Sequence, residues 1–226
     1  MKERLGAILQ PDQERYLERL QPPRDALLSE MERVAAEDGI PISDPEVGRL
    51  LQVLAVASGA RRILELGTAI GYGVVLLARA APEARVVSVD RDAAMLERAR
   101  GYVDRAGVGE RVELVRGEVL EVLDRLNEPF DLVYVDAEKL EYRICLDRIL
   151  DLMPVGGTMI FDNLLWKGRV AEPPEDEDDR VADAVRAFNP YMMIHPQLVS
   201  QILPIGDGVG IATKRTPTLR EQGGPF

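Results

Sequence analysis

The sequence predicts an α/β fold: a doubly wound, mostly parallel seven-stranded sheet with an antiparallel last strand and extra helices at the N-terminus. Three observations predict it. From residue 61 onward, strand-sized apolar runs alternate with helix-length amphipathic segments, the pattern of βαβ units covered on both faces. Near the C-terminus, Ile205-Gly206-Asp207-Gly208 separates the last two apolar runs, and its Asp-Gly pair reads as a hairpin closing an antiparallel edge. The first fifty-odd residues carry helical spacing only.

The elements follow in order. Pro22-Pro23 opens a helix from Arg24 to Asp38, with Leu27, Leu28, Met31, Val34 and Ala35 on one face and Gly39 as its stop. Asp44 as N-cap and Pro45 at the first helical position start a second, to Ser58. Strands are expected at Ile63–Leu66, Val86–Val89, Val112–Val115, Leu132–Val135 and Thr158–Phe161. Helices are expected between them at Gly73–Ala80, Ala93–Ala106, Val119–Leu126 and Leu140–Leu152. A helix from about Asp179 to Phe188 precedes closing strands at Leu198–Leu203 and Gly208–Thr213.

Composition bounds the function. The 226 residues suit one domain, divided into a helical layer (1–58), an α/β core (61–215) and a frayed tail (217–226). No apolar run reaches the ~18–20 residues of a membrane span, and Met1-Lys2-Glu3-Arg4 does not read as a signal peptide. The single cysteine, Cys145, excludes an intrachain disulfide and a cysteine-based metal cluster, and it fits a cytoplasmic protein. A net charge of −11 argues against a surface coated for nucleic acid but leaves room for a local basic patch.

In a doubly wound sheet, ligands bind beyond the carboxyl ends of the strands. The first strand ends in Glu65-Leu66-Gly67-Thr68-Ala69-Ile70-Gly71-Tyr72-Gly73. Its glycines permit a tight turn and close approach of a ligand. Their spacing is not that of a dinucleotide loop, and Glu65 would repel a pyrophosphate. A carboxylate there suits a ligand with a cationic end, such as the amino group of S-adenosylmethionine. Asp90, 23 residues after Gly67, ends the second strand, where an acid serves ribose hydroxyls or caps the next helix. With Glu65 and the glycines beside it, the ribose reading is preferred. After the third strand, Arg116-Gly117-Glu118-Val119 lies where this fold would hold an adenine ring, though a plain turn fits equally.

The fourth strand ends at Asp136-Ala137-Glu138-Lys139 and the fifth at Asp162-Asn163. If these strands are neighbours, Asp136, Asp162 and Asn163 form a set of hard oxygen donors suited to Mg²⁺ or another divalent cation. Helix caps and a turn asparagine are the alternative. Lys139 reaches the same rim, either as a base or as a solvated helix-start residue. His195, the only histidine, reads as a surface residue before a strand. Trp166 and Tyr191 can stack an aromatic substrate or pack in the core. The acidic run Glu172–Asp179 reads as a solvated loop.

Four segments carry a resemblance: Glu65-x-Gly67-Thr68-x-x-Gly71-Tyr72, Val135-Asp136-Ala137-x-Lys139, Asp162-Asn163-x-Leu165-Trp166-x-Gly168-x-Val170, and Pro204-Ile205-Gly206-Asp207-Gly208. In this order they resemble the cation-dependent, catechol- and caffeoyl-CoA-type O-methyltransferases, from about residue 41 to 215. The resemblance implies the Rossmann-like class I methyltransferase sheet. It implies a cofactor set of Glu65, Gly67, Thr68, Gly71, Gly73, Asp90, Gly117, Val119 and Asp136 around S-adenosylmethionine. It implies Asp136, Asp162 and Asn163 as metal ligands and Lys139, with Asp136, as catalytic. Trp166 and Asp207 become substrate candidates. It also implies a homodimer supported by the N-terminal helices. Two positions depart from the pattern: Gly73 stands where the family usually has Ser, and Glu138 where it usually has Asp.

Within that family, Pro41-Ile42, Thr68-Ala69-Ile70-Gly71-Tyr72, Lys167-Gly168-x-Val170-Ala171-Glu172 and His195-Pro196 resemble the bacterial branch of tRNA 5-hydroxyuridine methyltransferases. The implied partner is therefore a small catechol-like substrate or tRNA, since both acceptors place a hydroxyl beside a second oxygen. A non-catalytic nucleotide-binding module is the alternative, and the acids and lysine at the fourth and fifth strand ends speak against it. A dinucleotide oxidoreductase is disfavoured by Glu65 and the glycine spacing.

Overall fold

The computed structural model describes residues 10–171 and 179–216. Nearly all of the acidic run and the C-terminal tail lie outside the described residues, and so do the expectations placed on them.

Three helices precede the sheet: α1 (Pro11–Leu20), α2 (Ala26–Asp38) and α3 (Pro45–Ala57). The reading of the sequence did not delimit α1. Helix α2 begins at Ala26 rather than Arg24 because the Asp25 side chain accepts from Leu28 N and sets the cap there. Gly39 ends α2 in the left-handed conformation, as expected of a C-cap glycine. Asp44 precedes α3, but its side chain makes no capping bond.

The core then alternates as expected: β1 (Arg62–Leu66), α4 (Tyr72–Ala80), β2 (Arg85–Asp90), α5 (Ala93–Arg105), β3 (Val112–Arg116), α6 (Val119–Leu123), β4 (Leu132–Val135), α7 (Tyr142–Asp151), β5 (Thr158–Phe161), α8 (Arg180–Ile194), β6 (Leu198–Leu203) and β7 (Val209–Lys214). Three boundaries moved. Helix α6 stops at Leu123. The segment expected as one helix from Leu140 begins as a 3₁₀ turn, Lys139–Glu141, before α7. Helix α8 runs past Phe188 through Pro190, and burial of Phe188 and Met192 on either side of the proline keeps it packed.

The strands form one seven-stranded sheet in the order β3-β2-β1-β4-β5-β7-β6. Pairings among β3, β2, β1, β4 and β5 are parallel. The last strand, β7, is antiparallel to both neighbours, as expected. It is not the edge, however. The hairpin folds β7 inward against β5 and leaves β6 outside, so the reversed strand is buried.

Two apolar cores cover the faces. Ile63, Val86, Leu132 and Ile160 meet α2, α3, α4 and α5 on one face. Leu64, Leu66, Val133, Val135 and Phe161 meet α6, α7 and α8 on the other. Successive side chains on a strand alternate between faces, so Glu65, Ser88 and Tyr134 belong to the first face. They are in register: Glu65 pairs with Ser88 on β2 and with Tyr134 on β4. A buried polar row therefore crosses three strands beneath the N-terminal layer.

Candidate active site

A cavity of about 890 Å³ opens beyond the carboxyl ends of β1, β2, β4 and β5. That size accommodates a cofactor-sized ligand. Every expected site residue lines it except Gly71: Glu65, Gly67, Thr68, Gly73, Asp90, Gly117, Val119, Asp136, Lys139, Asp162, Asn163, Trp166 and Asp207.

The glycines of the first loop do different work. Gly67 has φ +103, and a Cβ there would stand 2.0 Å from the Asp136 backbone oxygen. The loop after β1 thus passes directly against the end of β4, which a side chain would forbid. Gly71 is turned away from the cavity, in a left-handed N-cap position packed against Ala99. It shapes the loop rather than the cavity wall, which corrects its expected contact role. At Gly73 a Cβ would come within 2.1 Å of Glu65 Oε1, so the glycine provides the space in which the Glu65 carboxylate lies.

Glu65 occupies a core position of β1 and is 1% exposed. Burial pushes its carboxyl up to about 8; the Ser88 hydrogen bond opposes this, while Asp136 and Asp90 add to it. Ser88 Oγ donates to Glu65 Oε2, and Thr68 Oγ1 lies 2.6 Å from Ser88 Oγ. Asp90 is not the helix cap. Its Oδ2 accepts from Ala69 N and its Oδ1 from Asp92 N, while Asp92 caps α5 through Ala94 N and Met95 N. Freed from capping, Asp90 faces the cavity with lone pairs left for further donors.

At the other end, Lys139 Nζ donates to Asp136 Oδ1 at 2.7 Å. Asp162 is 3% exposed. Its Oδ2 accepts from Tyr134 Oη at 2.6 Å and its Oδ1 from Asn163 N at 2.7 Å. Burial first, and then the Asp136 charge, push its carboxyl up to about 6, against the pull of Tyr134, Asn163 and Lys139. Asn163 holds a left-handed φ of +59. Among the described residues no cluster of three or more His, Cys, Asp and Glu is spaced for a metal. The donor set here is of another type, two carboxylates and an amide. Its chemistry fits a hard divalent cation: two acids share one corner with one lysine, and a cation would supply the missing positive charge.

Asp207 holds the loop that follows β5. Its Oδ1 accepts from Lys167 N and its backbone oxygen from Leu165 N. Trp166 and Lys167 both adopt left-handed φ, 45 and 55, a strained pair at the cavity rim. Tyr191 and His195 lie elsewhere. Tyr191 stacks under Arg143, bonds Asp147 and packs against His195, whose Nδ1 accepts from Gln197 N. The stacking role considered for Tyr191 does not hold, and the non-catalytic reading of His195 agrees with its place.

Sequence reasoning missed Ser43, Tyr72 and Tyr134, all of which line the cavity. Tyr134 reads as one more apolar strand residue, and nothing local marks its hydroxyl.

A family model described as O-methyltransferase matches residues 23–215. Tricin synthase 1 of Oryza sativa subsp. japonica is 34% identical over 186 residues, covering 76% of this chain and 74% of that protein. Caffeoyl-CoA O-methyltransferase 5 of Nicotiana tabacum is 29% identical over 208 residues, covering 86% and 87%. The O-methyltransferase of Bacillus cereus, solved in complex with SAH, superposes with a TM-score of 0.81 at 29% identity, covering 90% of this chain and 97% of that one. From the sheet order, the strand-end cavity and these matches together, the chain belongs to the O-methyltransferase family.

Proposed function

We propose that this protein transfers a methyl group from S-adenosylmethionine to a hydroxyl oxygen that has a second oxygen beside it. One observation carries the reading: Asp136, Asp162 and Asn163 line the same cavity as Glu65, Thr68 and Asp90. A methyl donor held by the second group would face an acceptor held by the first. The SAH bound in the Bacillus cereus relative supports the cofactor.

The residues divide the task. Glu65 lies over Gly73 and offers an oxygen to the donor's cationic end. Asp90 offers its carboxylate to ribose hydroxyls, and Gly117 and Val119 border the space for the base. Asp136, Asp162 and Asn163 would hold a divalent cation, which when bound lowers the pKa of a chelated hydroxyl and fixes its position. Lys139, seated on Asp136, holds positive charge beside the acceptor oxygen as its proton leaves. Methyl transfer breaks the carbon–sulfur bond, forms the carbon–oxygen bond and releases one proton.

We favour a small catechol-like acceptor. The cavity lining carries Asp44, Asp90, Glu118, Glu138, Glu141 and Asp207 besides Glu65, Asp136 and Asp162, against Arg91, Lys139 and Lys167. A nucleic-acid backbone would meet that field unfavourably. Of the basic residues that a tRNA reading would recruit, Arg15, Arg24 and Arg169 pair with Asp12, Glu32 and Asp179, whereas Arg19 and Lys167 show no ion pair among the described residues.

The test is a methylation assay with free catechols, their CoA thioesters and tRNA bearing 5-hydroxyuridine, read by mass spectrometry, with and without EDTA. Methylation of the catechols only, abolished by EDTA, is expected. Methylation of tRNA alone would overturn the acceptor, and full activity in EDTA would overturn the cation. Homodimerisation remains part of the proposal, with Val53 and Val56 exposed on α3 as candidate contacts. A monomer mass by light scattering would remove it. Among the described residues no helix is long and apolar enough to cross a membrane.

A further inference from the structure

The polar row across β2, β1 and β4 ends in Tyr134, whose hydroxyl has no part in the roles assigned above. Its ring is core, 1% exposed and packed on the face covered by α3 and α4. A phenylalanine ring would fill that space as well. A buried hydroxyl is costly unless it is bonded, so its partners show what it does.

Those partners form a directed chain. Tyr134 Oη lies 2.6 Å from Asp162 Oδ2 and 2.8 Å from Ser43 Oγ. A phenol has one proton, and the carboxylate oxygen takes it. Ser43 therefore donates to Tyr134, and Tyr134 donates to Asp162. Ser43 belongs to the loop between α2 and α3, which also supplies Pro41, Ile42 and Asp44 to the cavity wall.

We propose that Tyr134 is a positioning residue for Asp162, and that Ser43 sets the direction of its hydroxyl, so that the loop between α2 and α3 helps hold the acceptor end of the site. This rests on the proposed cation at Asp136, Asp162 and Asn163. Without Tyr134, the Asp162 carboxylate would keep only the bond from Asn163 N, its own neighbour in the chain. With it, donors reach both carboxylate oxygens, one of them from a different strand. Removing such outer partners of a ligand weakens metal affinity roughly 10–100-fold.

The experiment titrates the full-length chain with Mn²⁺, followed by electron paramagnetic resonance, for wild type, Tyr134→Phe and Ser43→Ala. Calorimetry with S-adenosylmethionine and thermal melting run in parallel. Tyr134→Phe is expected to bind Mn²⁺ about tenfold more weakly while keeping its cofactor affinity and its melting temperature. Ser43→Ala is expected to shift Mn²⁺ affinity the same way by less. It leaves the ring in place and keeps the test open should Tyr134→Phe not fold.

Equal Mn²⁺ affinity in wild type and both variants would overturn this inference and leave the cation reading intact. Loss of cofactor affinity along with Mn²⁺ affinity would also overturn it, since the hydroxyl would then serve the fold at large. A wild-type chain that binds no Mn²⁺ would overturn the cation reading, and this inference with it.

Discussion

The two ends of the cavity are each built around a buried carboxylate, and they handle it differently. At the end proposed for the cofactor, Glu65 is pushed up to about 8; at the end proposed for the acceptor, Asp162 is pushed up only to about 6. Burial is the leading cause in both. The difference lies in what opposes it. Glu65 has one opposing hydrogen bond, from Ser88. Asp162 has Tyr134, the Asn163 amide and the Lys139 charge. The cofactor end provides space, through Gly73, and leaves the carboxylate lightly supported. The acceptor end surrounds its carboxylate with donors. A lightly supported acid suits a ligand that brings its own positive charge, and a well-supported one suits a fixed ligand role.

Perturbing one end at a time tests that contrast. The largest effect is expected from Asp162→Ala, which should reduce methyl transfer to background while calorimetry shows the cofactor still binding. Loss of both together would mean that the ends are not separable. Gly67→Ala should damage both, because its Cβ would overlap the Asp136 backbone oxygen that joins them. A strained φ and an overpacked contact together cost roughly 2–4 kcal/mol, readable by denaturant unfolding. An unchanged midpoint would show that the two loops separate easily.

Gly73→Ser should act on the cofactor end alone. Its side chain claims the space of Glu65 Oε1, so cofactor affinity should fall by about tenfold, as for loss of one bond to a charged group, with Mn²⁺ affinity preserved. Tighter cofactor binding would mean that Glu65 moves aside at no cost.

The smallest effect is a pH dependence of stability without ligand. The folded Glu65 value, about 8, lies above the ordinary 4.5. Its contribution is therefore fully present below the ordinary value and is lost as pH rises through the folded one. Relative to Glu65→Gln, the wild-type melting temperature should fall between about pH 5 and about pH 9. Parallel curves would show that Glu65 is ionised throughout.

The strands of the core were legible to within a residue or two, because burial on both faces produces continuous apolar runs that end at turn residues. The turn proposed to hold the cofactor was legible as a turn for a similar reason: Glu65 to Gly73 is one contiguous segment from the end of β1 to the start of α4, and its glycines mark the turn. Its limits show in Gly71, which looks like its neighbours in sequence but faces Ala99. Asp90 and Asp92 illustrate the same limit. Either could cap α5, and the path of the chain chose Asp92.

By itself, then, the sequence determined the order of elements from α2 onward, the reversed last strand and the strand-end acids, since periodicity and turn chemistry act over a few residues. Only the tertiary structure decided that β7 lies inside β6, that Tyr191 and His195 stand apart from the cavity, and that Ser43, Tyr134 and Asp162 join in one line. Those features depend on strand order, register and the path of the N-terminal layer across the sheet. Ser43 and Tyr134 are 91 residues apart, and their contact exists only once the sheet has formed beneath the loop.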